Sequence, residues 1–317
     1  MKIVILDGHA TNPGDISWQP IAELGELAVY DQTPVEEISR RAAGAEVLIT
    51  NKTPISRETL EKLPALRYIG TLATGYNVID VDAARERGIP VCNVPSYCTR
   101  AVAQMTFALL LSLTNHVMLH SDSVRAGTWC RSKEFCYWEL PLYELEHKTM
   151  GILGYGSIGR AVAEAAQAFG MRILVYSRTP KELPKGWEWV GFEELLRRSD
   201  VLSLHCPLTP QTEQIIDEKA LARMKPGAFL LNTSRGGLLA EQAVADALNS
   251  GRLAGAGLDV LSTEPPKADN PLLTAKNCLI TPHIAWGAQD SRARLVATVA
   301  ENIAAFERGE PQNVVNA

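Results

Sequence analysis

Short runs of aliphatic and β-branched residues alternate with amphipathic stretches along almost the whole chain. In the first third these runs fall at residues 2–6, 27–30, 47–50, 66–71 and 90–93. A second series begins at residue 149 and continues at 172–176, 201–204, 228–232, 256–259 and 278–281. Apolar runs this short, separated by helical segments, predict parallel strands joined by helical crossovers. Between the two series, Val102, Met105, Leu109, Leu113 and Val117 recur at helical spacing, which predicts a long helix over 99–126. A closing helix is expected over about 290–308. The fold class that follows is α/β, with two doubly wound parallel-sheet domains and a cleft between them. Residues 1–98 plus 288–317 form one discontinuous domain in this reading, and residues 99–287 form the other.

Composition narrows the function classes. The 317 residues include 31 Lys+Arg and 36 Asp+Glu, a net charge of −5, and 46% are hydrophobic. These values fit a globular protein and exclude collagen-like, heptad-rich and disordered classes. Without a basic block, nucleic acid and anionic membranes are not expected partners. The most apolar run, residues 101–113, is interrupted by Gln104, Thr106 and Ser112 and is too short to span a bilayer. The N-terminal run Ile3 to Leu6 meets Asp7 at once, so a secretory signal is not expected and a cytoplasmic location is. Six cysteines, Cys92, Cys98, Cys130, Cys136, Cys206 and Cys278, show no metal-ligand spacing and read as reduced core or pocket-edge thiols. His116 and His120 stand four apart but lack the glutamate of a zinc-binding H-E-x-x-H helix, so no metal is expected. After the long helix, Trp129, Phe135, Tyr137, Trp138 and Tyr143 cluster in a stretch without strand character, which favours a subunit interface over local burial.

The clearest chemical signal is Gly154-Tyr-Gly156-Ser157-Ile158-Gly159, a G-x-G-x-x-G that follows a predicted strand and opens a predicted helix. Gly154 permits the turn, Gly156 lets a pyrophosphate approach the backbone, and Gly159 allows close helix–strand packing. Eighteen residues past Gly159, the next strand ends in Ser177 and Arg178, with Lys181 close behind. NAD sites usually carry an acidic residue there, which would repel a 2′-phosphate; a hydroxyl beside a guanidinium can bind one. NADP(H) is therefore expected in preference to NAD(H). The bland reading of Arg178 is a solvated loop charge.

Three later segments each lie just beyond a predicted strand: Asn232-Thr233-Ser-Arg235-Gly-Gly, Asp259-Val-Leu-Ser-Thr-Glu264-Pro-Pro, and Thr281-Pro-His283-Ile-Ala-Trp286. With the glycine motif and with Ala73-Thr74-Gly75 in the first half, they make the chain resemble the D-isomer-specific 2-hydroxyacid dehydrogenases, most of all the glycerate dehydrogenase/hydroxypyruvate reductase branch. The resemblance covers nearly the whole sequence. It implies a flavodoxin-like substrate domain, a Rossmann dinucleotide domain, a homodimer, and reduction of small 2-oxo acids to D-2-hydroxy acids. Such a reduction needs a hydride donor, a proton donor to the developing alkoxide and a cation that holds the carboxylate. Arg235 suits the cation role through its planar fork, and His283 can carry the proton near neutral pH. Glu264 is the candidate carboxylate beside the imidazole. Taken singly, Arg235 could be a surface cation, Glu264 a turn residue and His283 a satisfied histidine.

By the same resemblance, backbone N–H groups of Ala73, Thr74 and Gly75 would hold the substrate carboxylate, with Arg235 and His283 also touching substrate. Asp259 would accept from the nicotinamide carboxamide, and Cys206, Pro207, Thr212 and Thr233 would lie along the cofactor. Trp138 matches an aromatic residue that reaches a neighbouring subunit's pocket. The sequence departs from the family at Ser177, where an aspartate is usual, and at Gln104, where an acidic residue is usual. Hydroxypyruvate and glyoxylate are the expected substrates. The alternatives are a reductase of bulkier 2-oxo acids and a dinucleotide-sensing binding protein on the same fold.

Overall fold

The computed structural model describes all 317 residues, which divide into two compact units: Met1–Cys98 with Trp286–Ala317, and Thr99–Ala285. The first unit holds five strands, β1 (Lys2–Ile5), β2 (Glu26–Val29), β3 (Val47–Thr50), β4 (Tyr68–Thr71) and β5 (Val91–Cys92). They pair in the order β2-β1-β3-β4-β5, and every pairing is parallel. The two-residue period of a strand divides the side chains between two layers. Val4, Leu48 and Ile69 point into one core, while Ile3, Ile5, Val47, Ile49 and Tyr68 point into the other with Leu295, Val299 and Ile303 of the closing helix Gln289–Glu307. Because both faces are covered, these strands read as continuous apolar runs.

The second unit holds β6 (Thr149–Leu153), β7 (Arg172–Tyr176), β8 (Glu188–Trp189), β9 (Val201–Leu204), β10 (Ala228–Asn232), β11 (Leu253–Leu258) and β12 (Cys278–Ile280). Their spatial order is β12-β11-β10-β9-β6-β7-β8, again all parallel. The sequence order reverses between β6 and β9, and a doubly wound sheet opens its ligand crevice at such a switch point, beyond the carboxyl ends of the strands. Strand β8 was not expected from the sequence, since two exposed edge residues leave no hydrophobic pattern. Strand β11 begins three residues earlier than its apolar pattern indicated. Its glycines explain both the weak signal and the packing. A Cβ on Gly257 would lie 2.8 Å from Leu109 Cβ, and one on Gly255 would lie 2.9 Å from Leu113 Cδ2. The helix Thr99–Asn115 therefore rests directly on the strand, burying Leu109 and Leu113, each worth about 1.5–3 kcal/mol.

The single helix expected over 99–126 is two helices, Thr99–Asn115 and Val117–Arg125, bent by 54°. His116 stands at the break with φ +49°, a left-handed conformation that ends a helix. The apolar spacing crosses the break without registering it. No single helix is long and apolar enough to cross a membrane. His120 Nδ1 lies 2.9 Å from the His116 carbonyl oxygen, and its Nε2 accepts from the Glu139 N–H at 3.1 Å, so the ring ties the second helix to the segment after it. The six cysteines are unpaired: Cys92, Cys98 and Cys206 are buried and Cys278 is partly so, but Cys130 and Cys136 are exposed, contrary to the core reading of those two. In the same segment Phe135 is 86% and Trp138 66% exposed.

Candidate active site

In the second unit, the chemical candidates lie at the carboxyl ends of β6, β7, β9, β10, β11 and β12. At β6 the chain turns through Gly154, whose φ is +101°. A Cβ there would sit 2.5 Å from the Cys206 nitrogen and 2.6 Å from the His205 carbonyl carbon, at the end of β9, so only glycine allows the two strand ends to meet. Gly159 is equally constrained, since its Cβ would fall 2.1 Å from the Gly154 carbonyl oxygen. Gly156 differs: it is exposed, and an added Cβ would meet nothing within 4 Å. It caps the twelve-residue helix Ser157–Ala168 without a side-chain hydrogen bond, leaving the N–H groups of Ser157 and Ile158 at an uncapped, electropositive helix start. Lys181 Nζ donates to the Tyr155 carbonyl at 3.2 Å, which puts an ammonium on the same turn. An open backbone cradle, a helix N-terminus and a cation fit a dinucleotide pyrophosphate.

At the end of β7, Ser177 Oγ donates to the Thr179 carbonyl at 2.7 Å and Arg178 is exposed. Beyond β9, the His205 imidazole lies 2.8 Å from Ser203 Oγ through Nε2, while Nδ1 is sealed from solvent with no partner. Burial pushes its pKa down to about 3, so the ring is neutral. The neighbouring Cys206 thiol is pushed up to about 11 by burial, so it too is neutral. Thr212 Oγ1 donates to the Pro207 carbonyl at 2.7 Å and accepts from the Thr209 N–H at 2.8 Å, closing the loop that follows Cys206. Thr233 is buried against Thr106 of the long helix, their hydroxyls 3.0 Å apart.

Arg235 follows β10 on a turn organised by Asn232. The Asn232 side chain accepts from the Ser234 N–H at 3.0 Å and donates to the Arg235 carbonyl at 2.9 Å. The Arg235 side chain is exposed, and Nη1 donates to the Ser234 carbonyl. Gly236 then passes against the next loop: a Cβ would lie 1.9 Å from the Leu261 carbonyl carbon and 2.3 Å from the Ser262 nitrogen. This contact brings the Arg235 loop against the loop that carries Glu264. Glu241 braces the latter, accepting from the Ser262 N–H at 2.7 Å, from Ser262 Oγ at 2.8 Å and from Asn270 Nδ2 at 2.8 Å.

Glu264 Oε2 reaches His283 Nδ1 at 2.6 Å, joining residues nineteen apart in sequence. Glu264 Oε1 also accepts from the Leu261 N–H at 3.2 Å. His283 has φ +52°, an uncommon conformation for a residue with a side chain, which costs about 1–3 kcal/mol and concentrates at functional sites. Asp259 is 1% exposed, and both its oxygens accept hydrogen bonds from residues 281–285. The arrangement supplies an oriented imidazole, a carboxylate that fixes it and an outward guanidinium, a set suited to proton transfer beside an anionic substrate.

Ala73, Thr74 and Gly75 lie in the first unit, just beyond β4. The Ala73 carbonyl accepts from Thr71 Oγ1 and the Val94 N–H, and the Thr74 carbonyl accepts from Asn93 Nδ2. These bonds fix the loop's shape.

A model of the D-isomer specific 2-hydroxyacid dehydrogenase family, NAD binding domain, matches residues 107–285. The chain belongs to this family. It is 50% identical over 321 residues to a hydroxypyruvate reductase of Blautia hydrogenotrophica, covering 100% of both chains. It is 41% identical to a glycerate dehydrogenase of Methylorubrum extorquens, covering 100% of this chain and 99% of the relative. Among solved structures, an acyclic imino acid reductase in complex with NADPH and D-Arg superimposes with a TM-score of 0.86 at 35% identity, covering 99% of this chain and 100% of that one. The two parallel sheets are those of a two-domain 2-hydroxyacid dehydrogenase, and the second unit is its NAD(P)-binding domain. This family member is an oxidoreductase.

Sequence reading singled out Arg235, Glu264 and His283 but missed the residues that hold them. Gly236 was visible as half of a glycine pair. Glu241 carried no signal, because its partner Ser262 is 21 positions away, and Thr281, though part of the segment before His283, gave no sign of its contact with Asp259, 22 positions away.

Proposed function

We propose that this dehydrogenase reduces small 2-oxo acids, with hydroxypyruvate and glyoxylate as substrates, D-2-hydroxy acids as products and NADPH preferred to NADH. The observation that carries the reading is the 2.6 Å contact between Glu264 Oε2 and His283 Nδ1, with the Glu264 loop packed against the loop of Arg235. The names of two full-length relatives support the substrate class. When bound, the reduced dinucleotide supplies a hydride. Glu264 accepts the Nδ1 proton's hydrogen bond and fixes the imidazole, leaving Nε2 to deliver a proton to the alkoxide as it forms. The Arg235 fork takes the substrate carboxylate and draws electron density from the adjoining carbonyl. Ala73, Thr74 and Gly75 are assigned to the same carboxylate through their backbone N–H groups.

Gly154, Gly156, Ser157, Ile158 and Gly159 are assigned to the pyrophosphate, and Cys206, Pro207, Thr212 and Thr233 to the walls of the dinucleotide crevice. The NADPH preference rests on Ser177 and exposed Arg178, which stand where NAD sites usually carry a ribose-binding carboxylate that would repel a 2′-phosphate. The homodimer is supported by the apolar surface of Trp129, Phe135 and Trp138.

The test follows nicotinamide absorbance with NADPH and NADH separately against hydroxypyruvate, glyoxylate, pyruvate and a bulky aromatic 2-oxo acid. Fastest turnover of the first two with NADPH is expected. Turnover confined to the bulky acid would overturn the substrate class, and equal kcat/KM with both cofactors would remove the NADPH preference. Binding of dinucleotide without any turnover would favour the sensing protein.

A further inference from the structure

We propose that Thr281 and Asp259 form a positioning clamp that sets the backbone of His283, so that Thr281 tunes proton transfer without touching substrate or dinucleotide. The inference rests on the acid–base role given to His283 above.

Asp259 is the first residue after β11, and Thr281 the first after β12. Asp259 Oδ1 accepts from Thr281 Oγ1 at 2.6 Å and from the Ile284 N–H at 2.9 Å, and Oδ2 accepts from the Ala285 N–H at 2.8 Å. The Asp259 backbone carbonyl accepts from the His283 N–H at 2.8 Å, and the Thr281 N–H continues the strand register onto Leu258 at 2.9 Å. Pro282 has no N–H to place. Every backbone donor from 281 to 285 is thus directed at Leu258 or Asp259. His283 sits in the middle of this run, at φ +52° without being glycine. A non-glycine residue keeps that conformation only where its surroundings over-determine it, and here its own N–H is held by the Asp259 and Thr281 carbonyls while the buried Asp259 carboxylate holds the residues on either side.

With Nδ1 tied to Glu264 and the backbone tied to Asp259, the direction of Nε2 is fixed from both ends. The nearly inaccessible Asp259 carboxylate commits both oxygens to this loop, which makes it a scaffold for His283. Thr281 is the sharpest handle on the clamp. Thr281→Val removes one donor, keeps nearly the same shape and leaves the Asp259 charge with two backbone donors. Thr281→Ser keeps the hydroxyl.

The experiment compares the wild type, Thr281→Val, Thr281→Ser and His283→Ala. It measures kcat and KM for hydroxypyruvate, dinucleotide affinity by fluorescence titration, thermal unfolding, and the His283 imidazole resonances by NMR. The expected result for Thr281→Val is a tenfold or larger fall in kcat, with KM and dinucleotide Kd within about twofold and displaced His283 resonances. Thr281→Ser should restore kcat to within about threefold and return the resonances. Unchanged kcat and resonances in folded Thr281→Val would overturn the clamp, as would a Thr281→Ser variant as slow as Thr281→Val. A dinucleotide Kd weakened in step with kcat would place the pair on the cofactor instead. If His283→Ala retains full activity, the acid–base reading fails, while the resonances still decide whether the clamp holds His283. Should Thr281→Val not fold, Thr281→Ser and Thr281→Ala are compared by the same readouts.

Discussion

Two parts of one sheet edge achieve chemistry by different means. At the end of β6, the proposed pyrophosphate site is bare backbone: Gly154, Gly156 and Gly159 are close in sequence, and their lack of side chains shapes the turn. At the ends of β10, β11 and β12, function rests on side chains brought from distant positions and held by buried polar groups, Asn232 under Arg235 and Asp259 under His283. The first kind of site is local, and the fold tolerates little beyond hydrogen at Gly154 and Gly159. The second depends on loop-to-loop fit, seen in Gly236 pressed against Leu261 and Ser262. Binding and turnover should therefore be separable by mutation.

The largest expected effect breaks the catalytic side alone. His283→Ala should lower kcat by about a thousandfold, within the span usual for general acid–base groups, with dinucleotide Kd unchanged. Stopped-flow turnover and fluorescence titration on one preparation check this, and full activity would sink the proton-transfer assignment.

Gly156→Ala should do the reverse. Its added methyl meets no protein atom, so the melting temperature should hold within a degree or two while dinucleotide affinity drops by about a hundredfold, roughly 2.7 kcal/mol. A variant that binds normally would remove the pyrophosphate from that turn.

Next comes pH, through His205 at the junction of β6 and β9. Its folded pKa of about 3 lies below the ordinary 6.5, so between those values the unfolded chain binds a proton that the folded chain does not. This contribution to stability is complete above pH 6.5 and is lost as pH falls toward 3. From pH 6.5, where the unfolded imidazole is already half protonated, to pH 5 the loss is about 1.6 kcal/mol, or roughly fifteenfold in the folding equilibrium. Urea unfolding at both pH values, with His205→Gln as the comparison, checks it; an equal slope in the variant would assign the pH dependence elsewhere.

The smallest effect sharpens cofactor choice. Arg178→Ala should reduce kcat/KM for NADPH by about fivefold and leave NADH within twofold, since one exposed charge pair with phosphate is worth about 1 kcal/mol. Parallel losses with both cofactors would return Arg178 to the status of a surface charge.

Most of the fold was legible because its signals are short-range. Apolar runs of four or five residues marked the buried strands, and β3, β7, β9 and β10 fall where those runs lie. Edge strand β8 and the glycine-diluted start of β11 were not legible, since neither carries the continuous apolar run that marks a strand covered on both faces. The break at His116 escaped for a related reason: helical periodicity reports which face is buried, while a single left-handed residue redirects the axis without disturbing that pattern. Among site residues, the glycine motif could be understood where it stood, whereas Arg235, Glu264 and His283 gained chemical meaning only as a set.

By itself the sequence determined the two series of parallel strands, the dinucleotide turn and the identity of the acid–base candidates, because glycine spacing and apolar runs act through neighbours a few residues away. Tertiary structure decided that Glu264 meets His283, that Gly236 lets two loops touch, and that Asp259 and Thr281 hold the histidine from below. Those pairs are 19 to 26 positions apart, and only the parallel register of β10, β11 and β12 brings their ends to one edge, where such contacts can form.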